Sequence, residues 1–190
     1  MSFYAGLTDL PTLATERLRL RPLREDDAPA LLAIFGNPDV MRHWSSLPWT
    51  SVDRALTLVQ GLREDFAART LFQWGIALAD TDTVIGTTTL LHLDAANRRA
   101  EIGYALDQAH WGRGDAREAL QLLIDHAFGE LRLHRLEADT DPRNTRSCVL
   151  LERLGFAREG LLRERWHVAG EVSDSALYGL LAADWRRARG

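Results

Sequence analysis

Glu101-Ile-Gly-Tyr-Ala-Leu-Asp-Gln-Ala-His-Trp-Gly-Arg-Gly-Asp-Ala116 reads as a strand that passes through a glycine-containing turn into a helix. After Gly114 the apolar residues Ala116, Ala119, Leu120, Leu123, Ile124, Ala127 and Phe128 fall on one helical face, with Gly129 placed to stop it. Such a junction is suited to an anion. Glycine permits positive φ and close backbone approach, while the first free N–H groups of the helix point outward at the positive end of its dipole. Phosphate or pyrophosphate is the natural ligand, and a plain tight turn is the alternative for this stretch taken alone. No Gly-Lys-Ser/Thr P-loop and no Gly-x-Gly-x-x-Gly after an N-terminal strand is present, which excludes the usual nucleotide classes.

Outward from this junction the pattern alternates between periods of two and 3.6. Arg17-Leu18-Arg19-Leu20-Arg21-Pro22 predicts a first strand ended by proline. Glu25-Asp26-Asp27 heads a helix carrying Ala28, Leu31, Leu32 and Phe35, which Gly36-Asn37-Pro38 stops. A second helix starts at Thr50 or Ser51 and buries Leu56, Val59, Leu62 and Phe66. Strands over 71–79, 84–93 and 100–106, separated by Asp80-Thr81-Asp82 and Asp94-Ala95-Ala96-Asn97, predict an antiparallel meander. Beyond the central helix come a strand over 135–140, a helix over 144–154 ended by Gly155, and a hairpin of 156–168 and 172–181 around Ala169-Gly170-Glu171. The expectation is one α/β domain spanning residues 1–190, with a mixed sheet and flanking helices.

Composition narrows the function classes. The chain has 190 residues, of which 46% are hydrophobic and 26% charged, which is ordinary globular usage. Its 27 acidic and 23 basic residues are interspersed and sum to −4, so bulk electrostatic binding of nucleic acid is not expected. A single cysteine, Cys148, excludes an intramolecular disulfide framework and is read as a small buried hydrophobe. The six histidines show no metal-ligand spacing on a helix, so no metal is expected. Residues 1–11 lack a basic region followed by a long apolar stretch, and no run has the length of a membrane span. The protein is read as soluble and cytoplasmic, with no membrane partner.

Trp111-Gly112-Arg113-Gly114-Asp115-Ala116 resembles the acyl-CoA pyrophosphate loop of GNAT acetyltransferases, Gln/Arg-x-x-Gly-x-Gly/Ala. Trp111 takes the first position, as in the branch resembling ribosomal-protein N-terminal acetyltransferases, while Gly114 and Ala116 take the fourth and sixth. Asp115 departs from the pattern, where an apolar or aromatic residue is usual, and a carboxylate facing a pyrophosphate would weaken binding unless it points away. The resemblance covers nearly the whole chain. Thr15–Pro22 looks like that branch's opening strand, Asn144-Thr-Arg-Ser147 with Leu151–Phe156 like its later cofactor-contacting helix, and Glu159-Gly160 with Asp174 and Tyr178 like its final hairpin.

The resemblance implies a bent sheet whose strands 100–106 and 135–140 splay apart around the pantetheine arm of acetyl-CoA. Backbone of Tyr104, Ala105 and Leu106 would bond that arm, Trp111 to Ala116 would hold the pyrophosphate, and Asn144 and Ser147 would contact the cofactor. Exposed groups of a splayed strand need partners, which pantetheine amides can provide. Glu101 is the expected base, its alternative being a solvent-facing strand glutamate. A tyrosine commonly used as acid is replaced by Leu151, so Ser147 is expected as thiolate stabiliser or proton donor, its alternative being a serine that only bonds backbone. Asn144 is equally placed for an N-cap, and Arg143 and Arg146 for the phosphates or a solvated face. Trp44, Trp49 and Trp166 are candidates for the acceptor site or core anchors. The implied activity is N-acetylation of a primary amine, first a protein N-terminal α-amine, next a polyamine or antibiotic. A non-catalytic acyl-CoA-binding sensor is the competing class. Pairing into a homodimer through an exposed sheet edge is compatible with the pattern.

Overall fold

Period-two burial builds the sheet in the computed structural model, which describes residues 6–189. Met1–Ala5, part of the stretch read for a targeting segment, and Gly190 lie outside the described residues. β1 (Leu13–Ala14) pairs antiparallel with β2 (Leu18–Arg21), where Leu18 and Leu20 are fully buried. Arg21 is buried as well, held by Asp27 at 2.8 Å and Asp82 at 2.8 Å. β3 (Leu71–Leu78), β4 (Val84–Asp94) and β5 (Arg99–Leu106) form the expected antiparallel meander. β5 then crosses through α4 (Asp115–Gly129) to β6 (Arg135–Thr140), the sheet's parallel pair, and the hairpin β7 (Ala157–Val168) and β8 (Glu171–Leu181) returns with β8 beside β6. The order across the eight strands is β1-β2-β3-β4-β5-β6-β8-β7.

One core lies under α4 and α5 (Thr145–Arg153), where Leu120, Leu123 and Ile124 meet Trp74, Leu90, Ile102 and Leu136. Each fully buried side chain of this size contributes about 1.5–3 kcal/mol. The opposite face is covered by α1 (Ala28–Phe35) and α3 (Val52–Ala68), which pack on Ala77, Val84 and Ala105. Ser51 caps α3 by accepting the Asp53 N–H, as expected.

Three features depart from the sequence reading. Asn37-Pro38 does more than stop α1: Asn37 accepts the Asp39 N–H and Pro38 opens a short helix, α2 (Pro38–Met41). The core face of α1 carries Ile34, whereas Leu32 is half-buried. After β8 the chain adds α6 (Ala182–Arg187), seated by the buried Trp185. No helix among the described residues is long and apolar enough to cross a membrane.

Candidate active site

β5 and β6 are paired over only three positions, Arg99 with Arg135, Ala100 with Leu136 and Glu101 with Glu137. Beyond them the strands part. Tyr104, Ala105 and Leu106 lie on the β5 side of the gap, and Ala138, Asp139 and Thr140 stay paired with β8 alone. This is the splay that the resemblance implies.

The loop at the end of the gap is anchored by Trp111. Its indole Nε1–H donates to the Leu106 carbonyl at 2.9 Å, and its ring is packed against both cores. Gly112 (φ 75°) and Gly114 (φ 86°) are both left-handed, and a Cβ built on either meets nothing within 4 Å. The loop from Gly112 to Gly114 is exposed, with Arg113 between the glycines and the free N–H groups of α4 behind them. This open cradle fits a pyrophosphate. Asp115 does not oppose it, because its carboxylate is 2% exposed and pairs inward with Arg17 and with His110 Nδ1 at 3.2 Å. Ala116 packs against the core. The Arg146 guanidinium stacks 4.5 Å from the ring of Trp111, the residue that opens the loop, whereas Arg143 is bound to Asp141 and Glu171.

At the start of α5, Asn144 caps the helix by accepting the Ser147 N–H at 3.2 Å. The Ser147 hydroxyl bonds the Tyr104 hydroxyl at 2.7 Å, across the gap from α5 to β5. Burial pushes Tyr104 up to about 12, with the Ser147 bond acting in the opposite sense. Leu151, standing where a tyrosine is common, is 1% exposed in the core. Tyr104 was expected to act through its backbone, and its side chain is a hydroxyl that sequence reasoning missed; only its type and its nearness to Glu101 hinted at it.

Glu101 stands on the other face of β5, since Ala100, Ile102 and Tyr104 point toward the α4 core. Its Oε2 lies 3.0 Å from Nδ1 of His92. A bulge in β4 between Leu91 and Asp94 puts His92 at φ 50° and turns it toward Glu101, a device alternation alone does not reveal.

Trp44 and Trp49 gather on Phe35, with ring centroids 5.4 Å and 4.6 Å away, so their anchoring role is met while Trp44 stays 36% exposed. Trp166 sits apart on β7, donating to Ser175 Oγ at 2.9 Å. Between the α2–α3 segment, the β6–α5 loop and the β7–β8 turn lies a cavity of about 290 Å³ lined by Arg42, His43, Arg143 and Glu171. Burial opposes the charge of the neighbouring Asp141, yet hydrogen bonds from the Arg143 side chain and backbone hold its carboxyl below the usual range. A larger hollow of about 370 Å³ between the ends of α4 and α6 contains none of the expected site residues.

The family model described as an acetyltransferase (GNAT) domain matches residues 17–157. The uncharacterized N-acetyltransferase p20 of Bacillus licheniformis is 39% identical over 176 residues, covering 93% of this chain and 99% of the relative. Spermidine N(1)-acetyltransferase of Vibrio cholerae is 27% identical over 158 residues, covering 83% of this chain and 89% of the relative. Among solved structures, Mycobacterium smegmatis RimJ in complex with CoA-disulfide superposes with a TM-score of 0.82 at 28% identity, over 95% of each chain. With its splayed strands, open glycine loop and these matches, the chain belongs to the GNAT acetyltransferase family, enzymes that take the acetyl group from acetyl-CoA.

Proposed function

We propose that this acetyltransferase modifies a protein N-terminal α-amine, as a single cytoplasmic domain of residues 1–190. The observation that carries the mechanism is the division of chemistry across the β5–β6 gap: a carboxylate, Glu101, on one face and hydroxyls, Ser147 with Tyr104, on the other. Acetyl-CoA supplies an acyl group already activated as a thioester. The N–H groups of Gly112 to Ala116, with Arg113 and Arg146, would hold its pyrophosphate. Backbone of Tyr104, with Asn144, would hold the pantetheine arm; the Leu106 carbonyl is engaged by Trp111, leaving its N–H as that residue's candidate contact, and the expected Ala105 contact is not kept because the Ala105 carbonyl faces Gly86 of β4.

Glu101, directly or through water, takes the proton that the acceptor ammonium must lose, and His92 orients it. The demand on this base depends on the acceptor. At pH 7 roughly one α-amine in seven is already neutral, against roughly one in 2,500 lysine-like amines. A likeness to the putative ribosomal N-acetyltransferase YdaF of Bacillus subtilis, 31% identical over 174 residues, supports a protein acceptor, and the likeness to spermidine N(1)-acetyltransferase supports a small amine as the second reading. Trp44, Trp49 and Trp166 would border the acceptor. β7, exposed along almost its whole length, supports pairing into a homodimer.

Thiol release measured with short peptides bearing free N-termini and with spermidine tests the acceptor. Faster turnover of peptides is expected; spermidine turned over with peptides inert would replace the reading with the second one. Glu101→Gln should lower kcat roughly 10²–10⁴-fold at neutral pH, with part of the loss recovered at high pH where the amine is already neutral.

A further inference from the structure

We propose that Tyr104 is a positioning residue for acetyl transfer, its hydroxyl donating to Ser147 Oγ so that the Ser147 hydroxyl is free to bond the departing thiolate. The inference rests on the acetyl-transfer reading of the same opening. Two observations lead to it. The 2.7 Å bond between the two hydroxyls joins residues 43 apart in sequence, one on β5 past its last pair with β6 and one in the first turn of α5, so it crosses the gap. The Ser147 hydroxyl is therefore engaged by a side chain, not merely by local backbone. Leu151 places a buried hydrocarbon where a tyrosine would otherwise stand.

Direction matters in a two-hydroxyl chain. If Tyr104 donates to Ser147, the serine retains its own proton for a third group, and each bond polarises the next. Acid strength decides what the serine does with that proton. A phenol near 12 and an aliphatic hydroxyl weaker still do not protonate a thiolate whose conjugate thiol is near 8.5. The pair therefore acts by hydrogen bonding. As the N–C bond forms and the C–S bond breaks, the electron pair stays on sulfur as thiolate; Glu101, having passed the ammonium proton to water before attack, takes the second N–H proton as the amide forms, and both hydroxyls keep theirs.

The test is a titration of the CoA thiol bound to wild type, Tyr104→Phe, Ser147→Ala and the double variant, followed by the ultraviolet absorbance of the thiolate. Affinity for desulfo-CoA serves as a control for the fold of the site. Wild type is expected to bind CoA with its thiol below the ordinary value, and Tyr104→Phe to raise that thiol by about one unit while binding desulfo-CoA unchanged. Added to Ser147→Ala, Tyr104→Phe should have little further effect, because it acts through the serine. A thiol equally acidic in wild type and Tyr104→Phe, or additive effects in the double variant, overturns the inference while leaving acetyl transfer intact. Failure of wild type to bind CoA overturns both.

Discussion

Gly114→Ala separates the use of the loop backbone from its folding. Gly114 sits at φ 86° and ψ −4°, with open space where a Cβ would stand. The substitution therefore meets no steric clash, and its direct cost is the left-handed backbone, about 1–2 kcal/mol, reduced by the lower entropy of the unfolded alanine chain to about 1 kcal/mol. For a chain of this size that lowers Tm by about 2–4 °C. Gly170, at φ 85° in the β7–β8 turn and equally open, provides a matched control remote from the loop. The variants should lose similar stability without ligand. With acetyl-CoA at 100 times the wild-type Kd, wild type and Gly170→Ala gain about 2.7 kcal/mol. In Gly114→Ala the new methyl group projects into the cradle; a tenfold weaker Kd leaves a gain of about 1.4 kcal/mol at the same concentration, roughly half the thermal shift. Thermal unfolding with and without ligand reads all three. Equal ligand-induced shifts in the two alanine variants would refute the assignment of Gly114 to the cofactor cradle.

Asp27→Ala removes one of the two carboxylates that hold the buried Arg21, leaving Asp82 as its partner, and should cost about 1–3 kcal/mol in urea unfolding. Burial depresses the His126 pKa, so the unfolded chain binds more protons: stability should fall as pH drops from about 6.5 through the lower folded value, and His126→Gln should flatten that slope. Arg146→Ala should weaken acetyl-CoA binding several-fold in calorimetry, and Arg146→Lys should not restore it, because an ammonium lacks the planar face that stacks on Trp111.

The strands, the two glycines and the helix behind them were legible because their signals are local: alternation, turn residues and amphipathic spacing. Asn37-Pro38 was ambiguous, since the same pair ends one helix and caps the next. The orientation of Asp115 is set jointly by His110, five residues earlier, and by Arg17, 98 residues earlier, and the second partner has no local signal. The Ser147–Tyr104 bond and the cavity beneath Arg42 likewise depend on segments that only the folded sheet brings together. His92 escaped because a bulge breaks the alternation by which a strand is read. Leu151 and Asp115, the two departures from the family pattern, have physical accounts: one fills the core and the other points inward.

The three-pair seam between β5 and β6 would make a ligand bound there a structural member of the sheet. Strands β1 to β5 and the group β6, β8 and β7 are two ladders tied along one short edge, with α4 as their covalent and hydrophobic brace. A pantetheine arm lying in that seam would act as a removable cross-tie, fastened and released once per catalytic cycle. Amide exchange at Tyr104, Leu106 and Asp139 should therefore report occupancy, slowing when the tie is in place and quickening each time product leaves.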